Sequence, residues 1–254
     1  MKQVQVYSGG RLTRGEVDVV AEFPLVLRVN DREIVTLIAS PHDLRFLVAG
    51  FLRVQGFVQS VEDFLLLSVC NDYGIANVRI RGELPVELKP ILTSGCGTGI
   101  TFTLPAAGNA AKPNSNIVPV APAAIFALME QLAKKAEKYR SHGGVHSAAV
   151  GRPDGTLLLH SEDIGRHNTF DRLAGEALLK GVELAGTLLV TSGRVSAEMA
   201  AKAAALGISL IASRTSPTDM AIRICEDSAI TLVGYLRGAR FNVYAHAEGL
   251  SIDA

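Results

Sequence analysis

This chain of 254 residues is poor in cysteine, has no excess of either charge and contains no long apolar run. Each shortage excludes something. Three cysteines at unrelated spacings do not make a disulfide framework and fit a reducing compartment. Lys+Arg and Asp+Glu balance at 25 each. A general polyanion binder carries a basic excess, so nucleic acid is not an expected partner, and any anionic ligand must meet a local cluster. No stretch approaches the roughly 20 apolar residues of a membrane span. The opening residues Met1 to Tyr7 lack a charged head followed by an apolar stretch, so no secretory leader is expected and the location reads as cytoplasmic. The phosphate-loop string Gly-x-x-x-x-Gly-Lys-Ser/Thr is missing, which excludes a Walker-type NTPase. Metal ligation is poorly supported too. His146 has no Glu two residues on, no Cys-x-x-Cys is present, and His142 and His146 straddle Gly143-Gly144 where a helical ligand pair would need continuity.

Nearly half of the residues are apolar, enough for a sizeable core. Apolar runs at Phe23 to Val29, Ile34 to Ile38, Phe64 to Val69 and Ile75 to Ile80 read as two strand pairs. Between them Ser40-Pro41-His42-Asp43 reads as a helix start, with Ser40 as cap and Asp43 completing a capping box. Pro105 to Pro119 is read as a linker or mobile loop. A helix is predicted over Pro122 to Tyr139. The turn Arg152-Pro153-Asp154-Gly155 joins strands Val145 to Val150 and Thr156 to His160. From there strands near 187–191, 208–212 and 230–235 alternate with helices, one starting near Ser196 and another capped by a box over Ser216 to Asp219. Such alternation predicts an α/β domain with a mainly parallel sheet covered by helices.

In open α/β sheets ligands sit beyond the carboxyl ends of the strands. Four successive strand ends here carry an arginine, namely Arg166, Arg194, Arg214 and Arg237, with Arg240 close behind and Thr191, Ser192, Ser213, Thr215 and Ser216 among them. Arginine forks match phosphate, and helix starts favour anions. Any one such arginine is ordinarily structural. Four at corresponding places point to a phosphorylated, nucleotide-like ligand. His167, between Asp163 and Asp171, is a candidate for orienting that ligand or moving a proton near neutral pH, or else a cap-region histidine paired with a carboxylate. His146 is a strand histidine or a pocket residue.

The remaining chemistry is in Cys96. It stands in Thr93-Ser94-Gly95-Cys96-Gly97-Thr98-Gly99, where small neighbours leave the sulfur open to attack, as a nucleophilic thiolate requires. A glycine-rich turn that merely contains a thiol is the plainer alternative. Cys70 ends a strand and Cys225 shares a helix with Met220, Ala221 and Ile224, so both read as packed.

Several of these strings run together as Pro41-His42-Asp43-Leu44, Ser94-Gly95-Cys96-Gly97, Gly143-Gly144-Val145-His146, Glu162 through Asn168 (Glu-Asp-Ile-Gly-Arg-His-Asn), Thr191 through Ser196 (Thr-Ser-Gly-Arg-Val-Ser), Ser213 through Thr218 and Thr231 through Tyr244. In them the chain resembles the formate dehydrogenase accessory sulfurtransferases, the FdhD-type proteins. The resemblance implies a cytoplasmic homodimer that takes persulfide sulfur from a cysteine desulfurase. It passes that sulfur to the molybdenum bis(molybdopterin guanine dinucleotide) cofactor, Mo-bis-MGD, of formate dehydrogenase. It implies a cytidine-deaminase-like three-layer domain over residues 122–254 without its zinc site, so no intrinsic metal. A smaller α+β part over 1–104 ends in the Cys96 loop, and 105–121 links the two. Cys96 falls on the persulfide carrier of the family's Cys-x-x-Cys loop. Tyr235, Leu236, Arg237, Gly238, Ala239 and Arg240 fall on its cofactor-binding stretch. Arg166, His167, Ser192, Arg194 and Arg214 join them from the strand ends, with Glu162 as a supporting polar group. The second loop cysteine is replaced, the loop reading Cys96-Gly97-Thr98-Gly99. This excludes a relay between two thiols, although a single thiolate can still accept and donate one sulfur. A binding module that delivers the cofactor without handling sulfur is the alternative. A hydrolase using Cys96 with His146 or His167 is a weaker one, lacking any geometry.

Overall fold

In the computed structural model, residues 1–85, 88, 91–92, 100–101 and 119–252 are described. Cys96 with its loop, and most of the predicted linker, lie outside the described residues.

The chain opens with a hairpin, β1 (Lys2–Ser8) and β2 (Arg11–Val17), both almost wholly exposed. Next come β3 (Phe23–Val29), β4 (Arg32–Ala39), α1 (Leu44–Val54), β5 (Phe64–Cys70) and β6 (Ile75–Ile80). The last four strands form a sheet in the order β4-β3-β6-β5. Leu25, Leu27 and Val29 alternate inward along β3 and pack against Leu47, Val48, Phe51 and Leu52 of α1, with a fully buried side chain of this size worth about 1.5–3 kcal/mol. Two short strands, β7 (Ile91–Leu92) and β8 (Ile100–Thr101), pair with each other.

The remainder is α2 (Pro122–Lys135), α3 (Glu137–His142), β9 (His146–Gly151), β10 (Leu157–Asp163), α4 (Arg166–Lys180), β11 (Leu188–Thr191), α5 (Ala197–Ala205), β12 (Leu210–Ser213), α6 (Asp219–Asp227), β13 (Thr231–Arg237) and β14 (Arg240–Ala245). Its six strands run in the order β10-β9-β11-β12-β13-β14. Successive residues serve opposite faces, as the pleat dictates. Leu188, Val190, Leu210, Ala212 and Val233 pack beneath α2, while Leu189, Ile211 and Leu232 pack beneath α4, α5 and α6.

The sheet is mixed, not mainly parallel. Only β11–β12 and β12–β13 are parallel, and the other three pairings are antiparallel. Two tight connections cause this, the Arg152–Gly155 turn and a reversal at Gly238. A hairpin connection can only return antiparallel.

Three helix boundaries also differ from expectation. Ser40 does not cap α1. The N-cap is Asp43 in left-handed backbone, with no side-chain hydrogen bond. The Ser40 hydroxyl instead accepts the Ile164 N–H at 3.1 Å, and its own N–H donates to Asp163 at 3.1 Å. The α6 cap is Thr218, which accepts from Ala221, not Ser216. The predicted 122–139 helix breaks at Ala136, because Glu162 takes the N–H groups of Lys138 and Tyr139 at 3.0 and 2.8 Å.

Candidate functional site

β10 points the same way as the parallel strands β11, β12 and β13, and β9 runs against it. The carboxyl ends of four strands therefore share one rim with the first residue of β9, His146, which pairs with Asp163.

Hydroxyls and main chain stitch neighbouring strand ends along this rim. Ser192 N–H donates to Ser147 O at 2.9 Å, and Ser147 N–H donates to Ser192 Oγ at 3.0 Å. Thr191 Oγ1 accepts the Gly193 N–H at 3.1 Å. Ser213, fully buried, donates to Gly193 O at 2.7 Å and accepts from Thr215 N–H at 3.0 Å. Arg214 N–H donates to Thr191 O at 3.1 Å, and Tyr235 N–H to Thr215 O at 3.0 Å. Arg237 Nε reaches Arg214 O at 3.2 Å.

On this frame Arg194, Arg214, Arg237 and Arg240 are exposed, the last two opposite each other across the β13–β14 reversal. Three guanidinium groups at adjacent strand ends are suited to multidentate recognition of an anion, and Ser192 is half-buried at the β11 end, on the β9 side. Arg166 differs from these, being buried. Its Cβ and Cδ lie 3.0 and 3.3 Å from where a Cβ on Gly193 would stand, and His146 Nδ1 lies 3.3 Å from the same point. A side chain at position 193 would therefore press on Arg166 and His146, which would have to give by a few tenths of an ångström. Burial, then the charge of Arg166, lowers the pKa of His146, which keeps the imidazole neutral beside Ser192 Oγ at 3.5 Å.

His167 lies beneath the rim. It is 2% exposed, its Nε2 is 2.9 Å from Ser196 Oγ, and burial pulls its pKa down to about 3. The expected proton transfer near neutral pH does not fit this environment, because the ring stays neutral there. Ser196 caps α5. Glu198 Oε2 lies 3.6 Å from the same His167 nitrogen, and Lys202 bridges Glu198 and Asp171 at 2.8 Å each. Burial opposes the Lys202 charge, but the two carboxylates outweigh it and raise its pKa. This buried charged group was not foreseen. Nothing in the i, i+4 spacing of Glu198 and Lys202 distinguishes a buried pair from a surface one.

Leu236 packs in the core beneath α2, so its side chain is turned away from the rim, while Gly238 and Ala239 form the exposed reversal. Glu162 lies away from the arginines. Besides holding α3, it lines a separate cleft of about 300 Å³ with His42, Lys138 and Arg172. His142 accepts its own turn's Gly144 N–H at 3.1 Å. Of the thiols, Cys225 is fully buried and burial pushes it up to about 12, so it is inert as a nucleophile. Cys70 is half-buried at the end of β5. No helix among the described residues is long and apolar enough to cross a membrane.

The FdhD/NarQ family model matches residues 20–251. A protein of Bacillus subtilis (strain 168) named sulfur carrier protein FdhD is 33% identical over 252 residues, covering 98% of this chain and 96% of that one. A protein of the same name from Geobacillus kaustophilus (strain HTA426) is 34% identical over 255 residues, covering 99% and 97%. A crystal structure of a protein described as a formate dehydrogenase accessory protein from Desulfotalea psychrophila superposes with a TM-score of 0.81 at 27% identity. That match covers 99% of this chain and 98% of that one.

Proposed function

Because the chain belongs to the FdhD/NarQ family, we propose that it is a sulfur carrier serving formate dehydrogenase. Cys96 is the carrier. Its thiolate attacks the terminal sulfur of a cysteine desulfurase persulfide, the desulfurase leaves as thiolate, and Cys96 becomes the persulfide. The S–S bond then breaks with its electron pair returning to Cys96 as thiolate, and the sulfane sulfur bonds to the molybdenum of bound Mo-bis-MGD, which supplies the two electrons that bring that sulfur to the sulfide level. The strand-end arginines Arg194, Arg214, Arg237 and Arg240 hold the phosphates of that substrate. Ser192 and the backbone of the Tyr235–Arg240 stretch stand beside them, with Arg166 and His167 supporting from below. The layers of α2, six-stranded sheet and α4 to α6 correspond to a cytidine-deaminase-like domain, and the working form is a cytoplasmic homodimer.

The observation that carries this reading is the end-to-end likeness to proteins named for carrying sulfur. The inertness of Cys225 narrows the choice of carrier to Cys96 and the half-buried Cys70, and the glycine-flanked sequence around Cys96 favours the former. Incubation with a cysteine desulfurase and cysteine should add the mass of one sulfur to the intact protein, and Cys96→Ala should abolish the adduct. No adduct on the wild type, or one that survives the substitution, overturns the assignment.

The lone cysteine in Cys96-Gly97-Thr98-Gly99 favours one second reading, a chaperone that holds the cofactor without taking sulfur. Under it, Cys96→Ala would mature formate dehydrogenase as well as the wild type does.

A further inference from the structure

His246 lies just beyond β14, and its ring makes two bonds, both to groups that can only accept. Its Nδ1 is 2.7 Å from Glu248 Oε1, and its Nε2 is 2.9 Å from the Glu226 carbonyl. A neutral imidazole carries one N–H and the imidazolium carries two. Both bonds can therefore be made together only by the charged ring. Glu226 belongs to the last turn of α6, where carbonyls lack helical partners and a cation is favoured.

The ring supports strained backbone. His246 is in the left-handed region, with φ at 51°, a conformation that persists only where the surroundings enforce it. Its carbonyl accepts from Thr231 Oγ1 at 3.1 Å and from Gly249 N–H at 3.0 Å. The second of these bonds closes the one-turn 3-10 helix Ala247–Gly249. That turn grips a distant part of the chain. Gly249 O accepts the Val120 N–H at 3.0 Å, and Val120 O accepts the Ser251 N–H at 3.0 Å. Val120 and Leu250 are buried in the same apolar cluster. Val120 stands two residues before α2, where the chain arriving from β8 joins the part built on the six-stranded sheet.

The charged groups acting on the ring are Glu248 on its own turn and Glu226 on α6. Its neighbour on β13, Thr231, is uncharged. The bond to Glu248, then the bond to the Glu226 carbonyl, raises the His246 pKa above 6.5, and partial burial opposes them. A group whose pKa rises on folding contributes stability that is complete below its unfolded value and is lost as pH climbs through its folded one.

We propose that His246 is a proton-operated latch on the Val120 clasp. Charged, it fixes the Ala247–Gly249 turn in the form that grips Val120. Neutral, it gives up one of its two partners, and the grip on the chain entering α2 loosens. The latch is independent of the sulfur-carrier reading.

The full chain is compared with His246→Gln and Glu248→Gln from about pH 5.5 to about pH 8.5, a span that brackets histidine titration. NMR of the imidazole protons follows His246. Amide exchange, expressed as protection factors, follows Val120 and Ser251, with Val190 of the β11 ladder as reference. In the wild type, protection of Val120 and Ser251 should fall about fivefold, the worth of one hydrogen bond, at the pH where His246 titrates, while Val190 holds steady. His246→Gln should match the wild type's high-pH state throughout and show no step. Glu248→Gln should move the imidazole midpoint and the step together to lower pH.

Protection that stays level in the wild type while the ring titrates, or a step that survives in His246→Gln, overturns the latch. So does an imidazole midpoint below the ordinary 6.5. If His246→Gln fails to fold, Glu248→Gln decides, and a midpoint that moves while the step stays put overturns the latch equally.

Discussion

Gly50 of α1 and Gly175 of α4 bring their helices into backbone contact. A Cβ on Gly50 would stand 2.7 Å from Gly175 N, and one on Gly175 would stand 2.5 Å from Gly50 N. The carbonyls of Asp171 and Phe46 crowd the same two positions still more closely. Through this crossing α1 and its four-stranded sheet sit directly on the helix that leads away from Arg166.

Gly175→Ala should therefore cost more than ordinary overpacking, at least about 3 kcal/mol, because the obstacle is main chain that cannot rotate aside. Urea unfolding reads the effect. An alanine variant within about 0.5 kcal/mol of the wild type would show that the helices can separate freely.

His167 gives the protein a pH dependence of definite sign. Its pKa falls from 6.5 to about 3 on folding, so between those values the unfolded chain binds the extra proton. Stability from the neutral buried ring is complete above pH 6.5. It is lost as pH falls below that, at up to about 1.4 kcal/mol per pH unit. Unfolding free energies of wild type and His167→Gln between pH 7 and 4 should converge toward the acid end. Parallel curves would mean that folding leaves the pKa of this ring unshifted.

Ser213 is the hydroxyl on which two strand-end loops depend. Ser213→Ala leaves the carbonyl of Gly193 and the N–H of Thr215 without this partner, a loss of about 1–3 kcal/mol. Amide exchange at Thr215 should accelerate more than at Leu188, which is in the β11 ladder and makes no bond to this hydroxyl. Uniform acceleration would instead indicate global destabilisation without local release.

What the sequence made legible was periodic. Strands β3 and β6 begin and end where their apolar runs do, because both pair within a sheet that has one buried face. The strand-end arginines were legible because α/β alternation fixes where loops emerge. The hairpins β1–β2 and β13–β14 were harder to see. β1, β2 and β14 carry few buried residues, so no periodic signal marks them, and missing β14 made the sheet look more parallel than it is. Local cap signals failed where tertiary partners outcompeted them. Ser40 has the right type and spacing to cap α1, but Asp163 and Ile164, more than 120 residues away, claim its polar groups. Arg172 completes that junction, binding Asp163 at 2.5 Å and the carbonyls of Ser40 and His42. The Lys202 network was hidden for a similar reason. Nothing in an i, i+4 pair tells whether another helix will cover it.

The stitching of the rim has a kinetic meaning. Carbonyls and hydroxyls of adjacent loops already satisfy one another, so the phosphate ligand proposed for this rim would have little backbone to reorganise on arrival. Capture at such a surface is governed by diffusion and by the attraction of the guanidinium charges. Raising the ionic strength should then slow arrival far more than it hastens departure.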